Sequence, residues 1–510
     1  MPSVTIVTEW LKTHLLPSTT EKFLREHAPK PPNCIKKVES KTCFFRTKAV
    51  LVPRLLRYYS TKRSGKSVPP GGHYRSPWKI LKDEFTNLDG PLPTELIPRE
   101  VDALVIGGGL VGSSVAFWLK HLHPKAFSVA VVERDLTYSR ASSMLSAGGV
   151  RHQFSVPENV QLSLFATEFL RNIKQYLNEE DPPDVKFNHH GYLFLAPQDK
   201  AEELVAHVKM QNELGAKIKF LTKDKLAQQF PWLNLQDVEV GSYGLQGEGW
   251  FDPWLLIKSF FQKNISYGVN YIHGELDHFN FKSQTFCELY DLSSLYIIIN
   301  YGNEYGIKFS HVINCAGPWA GEVSRKAIIG AGSSDLDLAF PLPVTPRKRF
   351  VYVVNCPNGP GLETPVLIDP AGVYFRREGL GGNYICGGTP SEDREPSTED
   401  LSIDYSFFEE AVKPQLEYRI PTLKNLKLKS AWSCYHDYNE FDENLVIGRH
   451  PFHNNFLFAN GLGGHAVQHS IGVGRAIAEL IMAEDYKSIE LSKFGFDRFH
   501  RNDFIRKFIL

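Results

Sequence analysis

The stretch VDALVIGGGLVGSSVAFWLK, residues 101–120, decides the fold of this 510-residue chain. An apolar run at 101–106 predicts a strand, and Gly107, Gly109 and Gly112 follow it with the G-x-G-x-x-G spacing at the start of a helical pattern. A second apolar run, 129–132, ends in Glu133, which follows Gly112 by 21 residues. A strand, a glycine turn, a helix and a strand closed by an acid form a dinucleotide-binding unit. The sequence therefore predicts a Rossmann-like α/β domain.

Each residue of this turn has a physical role in holding a dinucleotide. Gly107 permits a tight turn, Gly109 lets the backbone approach a pyrophosphate, and Gly112 lets the helix pack closely on the strand. Together with Gly108 they present free N–H groups and the positive end of a helix to the phosphates. Glu133 can bind a ribose diol and would repel a 2′-phosphate, which disfavours NADP. The turn alone leaves FAD and NAD open, and a glycine-rich turn without a ligand is the structural alternative.

Composition sets limits on the class of protein. The chain has 57 Lys and Arg against 57 Asp and Glu, and 42% of its residues are hydrophobic. These values are those of a globular protein and give no sign of a nucleic-acid partner. The length predicts two or more domains. No run approaches the ~18 apolar residues of a membrane-spanning helix, so we expect a protein without a transmembrane segment, either soluble or peripheral.

The seven cysteines are widely scattered, with no C-x-x-C pair and no His-rich tract beside them. This pattern is against a disulfide framework and against zinc, and we predict no metal site. It favours free thiols in a reducing compartment.

The N-terminal region has the composition of a mitochondrial transit peptide. Residues 40–82 contain eleven Lys and Arg and no acidic residue, with Ser, Thr and apolar residues interspersed. The run Arg57-Tyr58-Tyr59-Ser60 resembles a processing site that is cut between Tyr59 and Ser60. We therefore predict a transit segment at 1–59, a linker or arm at 60–98 and a mitochondrial location. A solvated basic tail is the alternative.

Periodicity and capping residues predict helices and strands beyond the dinucleotide unit. The predicted helices span 158–176, 200–214 with Gly215 as C-cap, 253–263 with Asp252 as N-cap, and 465–483. The predicted strands are short runs between 265 and 315, followed by 350–354, 366–368, 373–376 and 384–386. A strand-rich region between two nucleotide-type segments indicates that the nucleotide domain is discontinuous.

Three further segments resemble the D-amino-acid-oxidase class of flavoproteins. They are NCAGPW (314–319), GGVRH (148–152) and NGLGGH (460–465). The resemblance implies FAD as the cofactor and an α/β fold of the D-amino-acid-oxidase or glutathione-reductase-2 type. In that fold a Rossmann-like FAD domain is interleaved with an α+β substrate domain built on a mixed or antiparallel sheet. The resemblance assigns 99–157, 245–325 and 445–487 to the FAD domain, 158–244 and 326–444 to the substrate domain, and 488–510 to a C-terminal tail.

The resemblance also implies which residues bind FAD. Besides Gly107, Gly108, Gly109, Gly112 and Glu133 they are Arg134, Ser142, Ser143, Gly148, Gly149, Ala316, Gly317, Gly461, Gly463, Gly464 and His465. The loop 461–464 and the start of the following helix would face flavin N1 and O2, where their N–H groups would stabilise negative charge.

Members of this class oxidise the C–N bond of an amino acid or N-methyl amino acid by hydride transfer to flavin N5, and the resemblance implies the same chemistry here. Arg151, beside the flavin loop, and Arg376, in the run YFRRE, are candidates for binding a substrate carboxylate through a bidentate fork. His436 and Asp437, in a segment that resembles a turn of the class, are candidates for lining the flavin. Structural ion pairs for the two arginines and a structural role for the histidine are the alternatives.

Two departures from the class bear on the chemistry. Leu145 stands where covalent flavoproteins of the class carry a histidine, so histidyl attachment is impossible there, and Cys434 is the candidate for cysteinyl attachment. Gln468 stands where sarcosine oxidases carry a lysine that helps bind the substrate carboxylate and activates oxygen. We therefore predict non-covalent FAD, and a dehydrogenase rather than a fast oxidase.

A closer resemblance within the class extends over the folded body, through stretches such as ERDLTYSRASS (133–143) and GWFDPW (249–254). It is to flavoproteins of the mitochondrial matrix that take part in the assembly of respiratory complex I. It implies complex I subunits or assembly intermediates as partners, a small amino-acid-like substrate, and a position in the matrix or at the inner membrane. The alternative is a non-catalytic assembly chaperone in which FAD is a structural ligand.

Overall fold

The computed structural model describes residues 97–505 except 179, 245, 283–290, 300–302 and 331–339. The predicted transit segment, 1–59, and almost all of the predicted linker lie outside the described residues. The strands are β1 Glu100–Ile106, β2 Val129–Glu133, β3 Gly149–Val150, β4 Tyr192–Ala196, β5 Ile218–Thr222, β6 Val240–Gly244, β7 Gly249–Trp250, β8 Asn270–Lys282, β9 Asp291–Ile299, β10 Asn303–Asn314, β11 Val344–Asn355, β12 Val366–Ile368, β13 Val373–Glu378, β14 Asn383–Gly388, β15 Lys427–Asn439, β16 Val446–Arg449 and β17 Phe456–Asn460.

The longer helices lie between these strands. They are α1 Leu110–Leu122, α2 Pro157–Arg171, α3 Ala201–Glu213, α4 Lys223–Gln229, α5 Pro253–Ser266, α6 Ala320–Lys326, α7 Lys413–Arg419 and α8 Ala466–Ala483. Shorter helical turns span Ser142–Leu145, Ile173–Tyr176, Gly317–Trp319, Tyr405–Phe407, Gly463–His465 and Arg498–Arg501, and Phe408–Val412 forms a π-helical turn. No helix of the described residues is long and apolar enough to cross a lipid bilayer.

The first sheet has seven strands in the order β1-β2-β8-β9-β10-β17-β16, with a further pairing of β1 to β10. Its centre is parallel, because β1 pairs in parallel with both β2 and β10, and β10 with β17. Successive residues of β1 enter different cores: Ala103 and Val105 pack with α1 and α8, whereas Leu104 and Ile106 pack with α6. A strand that is buried on both faces reads as an unbroken apolar run, which explains the run at 101–106.

The region 265–315 departs from the prediction of short strands. It forms a meander in which β8 pairs first with β2 and then with β9, while β10 pairs first with β9 and then with β1. The strands have 13, 9 and 12 residues. In the outer parts of β8 and β10 the buried residues Phe279, Ile307 and Phe309 alternate with polar residues or glycine. The alternating pattern of a half-buried strand therefore extends beyond the short runs that were predicted.

The second sheet has eight strands in the order β15-β11-β14-β13-β12-β4-β6-β5. Neighbours are antiparallel apart from β12 and β4, which are parallel. One face packs against Phe407, Phe408 and Leu416 from the helical segment around α7. A parallel-centred sheet beside a mixed one confirms the predicted fold class, and the proposed domain boundaries themselves remain predictions.

The helix predictions are confirmed at their capping residues. The Asp252 side chain accepts a hydrogen bond from the Trp254 backbone N–H at 2.9 Å and so caps α5, which has Pro253 as its first residue. Gly215 has φ of +101° just beyond the end of α3, a conformation in which glycine is favoured.

Candidate active site

The predicted cofactor residues gather at one edge of the first sheet. Gly107 follows β1, Glu133 ends β2, the turn containing Ala316 and Gly317 follows β10, and Gly461 follows β17. These strands are parallel to their neighbours, so their carboxyl ends point the same way. Ligands of open α/β sheets bind at this edge.

The three glycines of the turn after β1 have different neighbours. Gly107 has φ of +96°, and a Cβ there would lie 2.4 Å from the carbonyl oxygen of Cys315. A Cβ at Gly112 would lie 1.9 Å from the carbonyl oxygen of Gly107, so this glycine lets α1 pack on the turn. A Cβ at Gly109 would meet only the Ser143 hydroxyl, at 3.4 Å. Gly109 therefore opens onto space, as approach by a ligand requires.

Glu133 is tied to the glycine turn by its carboxylate. Its oxygens accept hydrogen bonds from the backbone N–H groups of Gly108, at 2.8 Å, and Asp135, at 2.9 Å. Burial raises the pKa of Glu133. Each oxygen retains a lone pair with which to accept a further donor such as a ribose hydroxyl.

A cavity opens in front of this turn. Its lining includes the predicted residues Gly107, Gly109, Glu133, Arg134, Ser142, Ser143, Ala316 and Gly317. The Ser142 and Tyr138 hydroxyls line it, are buried and have no hydrogen-bond partner among the described atoms. The Arg134 guanidinium stacks on the Trp319 ring at 3.7 Å, a cation–π contact that fixes one wall.

These features fit FAD. Open glycines provide backbone N–H groups for phosphates, unpartnered hydroxyls provide hydrogen bonds, and Glu133 provides a carboxylate for a ribose. Ser143 accepts a hydrogen bond from the Leu110 N–H at 3.1 Å, which aligns the first turn of α1 with the cavity. Arg140 also lines the cavity and makes no ion pair with a carboxylate of the described residues; it can receive a phosphate.

The loop after β17 donates backbone N–H groups to a buried carboxylate. The Leu462 N–H donates to the Asp437 carboxylate at 3.0 Å, and Gly461 and Gly463 also donate backbone N–H groups to it. Asp437 ends up buried, with 4% of its surface exposed, and burial raises its pKa to about 7. A buried carboxylate requires donors, and the loop supplies them. That the loop 461–464 and the start of α8 face flavin N1 and O2 stays a prediction.

The segment 145–149 overlaps the run GGVRH (148–152) that resembles the class, and we call it the flavin-loop candidate. Contacts with the second sheet hold it in place. Trp432 donates its indole N–H to the Leu145 carbonyl at 2.8 Å, and the Arg376 guanidinium donates to the Ala147 carbonyl at 3.0 Å. Gly148, with φ of +74°, leaves no room for a Cβ beside the Phe251 carbonyl, 2.0 Å away. Arg376 is further bound to Glu378 at 2.5 Å. These contacts give Arg376 the structural role that was its alternative.

Arg151 is held by residues of α8 and of the turn before it. Its backbone N–H donates to the Gln468 side chain at 2.8 Å, and its guanidinium lies 3.3 Å from the His465 imidazole. The guanidinium lies over the rings of Phe154 and Phe194, at 4.6 and 4.9 Å. No carboxylate of the described residues forms an ion pair with it. Three residues predicted separately, Arg151, His465 and Gln468, are thus brought together.

Tyr192 joins this group from β4. A Cβ at Gly149 would lie 1.9 Å from the Tyr192 hydroxyl, so the phenol lies directly on the flavin-loop candidate. Burial raises the pKa of Tyr192 to about 12, and the charges of Arg151 and Arg376 act in the opposite direction. The phenol is therefore a hydrogen-bond donor at neutral pH.

His436 and Cys434 lie on β15 with different surroundings. The His436 ring is 3.2 Å from the position of a Cβ at Gly464, which places the imidazole against the glycine loop. Cys434 is a buried free thiol whose pKa burial raises to about 12. A thiol with so high a pKa lacks the thiolate needed for attachment chemistry.

Sequence reasoning missed Arg140, Tyr192 and Glu248. Arg140 follows the second strand of the dinucleotide unit by a few residues, and its position was the only available signal. Tyr192 and Glu248 reach the site through the second sheet and its connections, and no local pattern marks them.

Comparisons with known proteins agree with this site. The chain matches the model of a family described as FAD dependent oxidoreductase over residues 102–480. The FAD-dependent oxidoreductase domain-containing protein 1 of Xenopus laevis is 46% identical over 438 residues, covering 82% of this chain and 87% of that protein. Its homolog in Drosophila melanogaster is 41% identical over 410 residues, covering 78% of each chain. Among solved structures, the L-proline dehydrogenase of P. horikoshii is 24% identical with a TM-score of 0.67, covering 80% of this chain and 100% of that one. The likeness to this structure concerns the fold.

Proposed function

The chain belongs to the family of FAD-dependent oxidoreductases, and we propose that it oxidises the C–N bond of an amino acid or N-methyl amino acid whose carboxylate is held by Arg151. When bound, FAD supplies the group that accepts the hydride from that bond. The observation that carries the proposal is the state of Arg151: a largely enclosed guanidinium beside the flavin-loop candidate, without a carboxylate partner among the described residues. An enclosed cation of this kind is stabilised by an anionic ligand.

The surroundings of Arg151 suit a substrate carboxylate. Gln468 fixes its backbone, and the Phe154 and Phe194 rings keep water from its guanidinium faces while leaving the edges for hydrogen bonds. Tyr192 contributes a phenol that can donate to the same anion. The L-proline dehydrogenase that shares this fold acts, by its name, on a carboxylate-bearing amine.

The test is anaerobic reduction of the purified holoprotein by a panel of amino acids and N-methyl amino acids. Reduction is measured as the loss of absorbance of the oxidised flavin. In the Arg151→Gln variant the substrate concentration for half-maximal reduction should rise about 10- to 100-fold, since a charge-assisted hydrogen bond contributes ~1.5–3 kcal/mol. Arg377→Gln is the matched control, because Arg377 is also an arginine with little exposed surface and its guanidinium binds the Gly379 carbonyl and His190. Reduction of both variants at wild-type concentrations would exclude Arg151 as the anchor.

We propose further that reaction with oxygen is slow. Gln468 is uncharged, buried and bound to the Arg151 backbone and to His469, so no cation at this position promotes oxygen reduction. Reoxidation of the reduced protein by air should be much slower than in dedicated amino-acid oxidases. A rate comparable to theirs would contradict a dehydrogenase.

For the cell, we propose a mitochondrial location and a role in the assembly of respiratory complex I. The basic, acid-free composition of residues 40–82 supports the first, and the closer resemblance through 133–143 and 249–254 supports the second. The mature N-terminus would test import, with Ser60 expected as the first residue.

The second candidate is a scaffold protein in which FAD is a structural ligand. It is favoured by Leu145 and Gln468, which stand where members of the class carry the histidine of covalent attachment and the lysine that activates oxygen. Rescue of complex I levels in cells lacking the protein separates the two functions. Rescue by Arg151→Gln with its flavin retained would favour the scaffold, and failure of that variant beside successful Arg377→Gln would favour the enzyme.

A further inference from the structure

Asp437 is an acidic side chain in the wall of the cofactor cavity that the chemistry proposed above does not use. It lies near the end of β15, in the second sheet, yet it lines the same cavity as Gly107 and Glu133 of the first. Of its surface, 4% is exposed.

The partners of its carboxylate are backbone donors. The Leu462 N–H lies 3.0 Å from one oxygen, and Gly461 and Gly463 add further N–H groups. No cationic side chain of the described residues is among its partners. The negative charge is therefore held in position by neutral dipoles and is not cancelled by a counter-ion.

A charge in this setting acts on whatever occupies the cavity. Coulomb interactions are several-fold stronger beside a water-poor interior than in bulk water. A cofactor that accepts two electrons becomes more negative unless each electron is matched by a proton, so a fixed anion nearby opposes reduction.

We propose that Asp437 sets the reduction potential of bound FAD at a more negative value than the site would otherwise give. The consequence is a reduced cofactor that passes its electrons on readily to an acceptor. This inference rests on the cofactor that the family establishes and does not depend on the identity of the substrate.

The structure supplies a reason why the carboxyl group can carry its charge at mitochondrial pH. Burial raises the pKa of Asp437 and the backbone N–H groups act to lower it, and the balance places it at about 7. Above that value the group is ionised.

The experiment is a midpoint-potential measurement on purified holoprotein, by equilibration with a reference dye at about pH 8.5, well above that pKa. Asp437→Asn keeps a carbonyl oxygen to accept the Leu462 N–H and removes the charge; its midpoint potential should be less negative than that of wild type. Asp437→Ser, a smaller neutral variant, should shift in the same direction.

Glu440→Gln is the matched control. It removes one negative charge just beyond the end of the same strand, from a side chain that is exposed and binds Thr345 and Arg347, and its potential should equal that of wild type. Wild-type potentials in both Asp437 variants would overturn the proposal. Loss of flavin from both would also overturn it, because Asp437 would then serve to hold the loop and not to tune the cofactor.

Discussion

The three glycines after β1 meet different neighbours, so a methyl group added at each has a different consequence. At Gly112 it would collide with backbone 1.9 Å away, and at Gly107 it would combine a backbone clash with a positive φ. At Gly109 the φ is −60°, and only a hydroxyl at 3.4 Å stands near. Gly109 is thus the position at which binding can be altered without altering the fold.

We expect Gly109→Ala to weaken FAD binding at least about tenfold, or ~1.4 kcal/mol, because the methyl group occupies the space needed by the pyrophosphate. The apoprotein should unfold at the wild-type temperature. Gly112→Ala is the comparison, and it should destabilise the apoprotein itself. Flavin titration and thermal unfolding of both apoproteins measure these effects; wild-type FAD affinity in Gly109→Ala would contradict the assignment of the turn.

At the scale of elements, the segment 145–149 depends on the second sheet for its position. Trp432 and Leu145 are 287 residues apart in the chain, and the bond between them joins β15 to the end of a short helical turn. Together with the Arg376 bond to Ala147, it couples the order of the flavin-loop candidate to the packing of the second sheet.

We expect Trp432→Phe to destabilise the apoprotein by ~1 kcal/mol, since the ring is kept and the Leu145 carbonyl loses its donor. FAD affinity should fall as well, because the segment is then less well ordered. Trp232→Phe is the control: Trp232 packs against the core of the second sheet and makes no hydrogen bond through its indole among the described residues. Urea unfolding and flavin titration measure these effects. Equal stability and equal FAD affinity of the two variants would show that the hydrogen bond from Trp432 to Leu145 does not order the segment.

The same contrast between local and distant contacts explains what the sequence could predict. The dinucleotide turn, the Asp252 cap and the strand 366–368 follow from local rules of spacing, capping and β-propensity. The full lengths of β8 and β10 were within reach of the same rules, because buried Phe279, Ile307 and Phe309 alternate there with polar residues or glycine. The hydrogen bonds of Asp437 could not be predicted by local rules, because the N–H groups at 461–463 follow a strand of the other sheet.

At the scale of the whole molecule, a buried polar network joins the segment after β3 to the second sheet. Glu248 accepts hydrogen bonds from the His152 backbone N–H at 2.7 Å and from the Gln153 amide at 2.9 Å. Gln153 in turn binds the Ser242 hydroxyl of β6 and the Tyr192 carbonyl of β4. The segment that follows β3 and carries Arg151 is therefore anchored to the second sheet around one carboxyl group, of whose surface 1% is exposed.

This carboxyl group makes stability depend on pH. Burial raises the pKa of Glu248 from 4.5 to about 7, with hydrogen bonds and Arg151 acting in the opposite direction. Between those values the folded chain keeps a proton that the unfolded chain releases, so the free energy of unfolding falls as pH rises, by at most about 1.4 kcal/mol per unit. Above about 7 both states are ionised and this dependence ends.

We expect the free energy of unfolding of the wild-type apoprotein, relative to that of Glu248→Gln, to decline from about pH 5 to about pH 7 and then to level off, because glutamine has no proton to release. The subtraction removes the opposing contribution of His152, whose pKa burial lowers to about 4, provided that this contribution is the same in both proteins. Glu239→Gln is the control, at an exposed position just before β6. Its free energy of unfolding should differ from that of wild type by the same amount at every pH. Urea denaturation across this pH range measures these free energies. If the difference between wild type and Glu248→Gln does not change with pH, Glu248 stays ionised in the folded protein. The Arg151 segment would then be anchored by a charged carboxylate and not by a neutral acid.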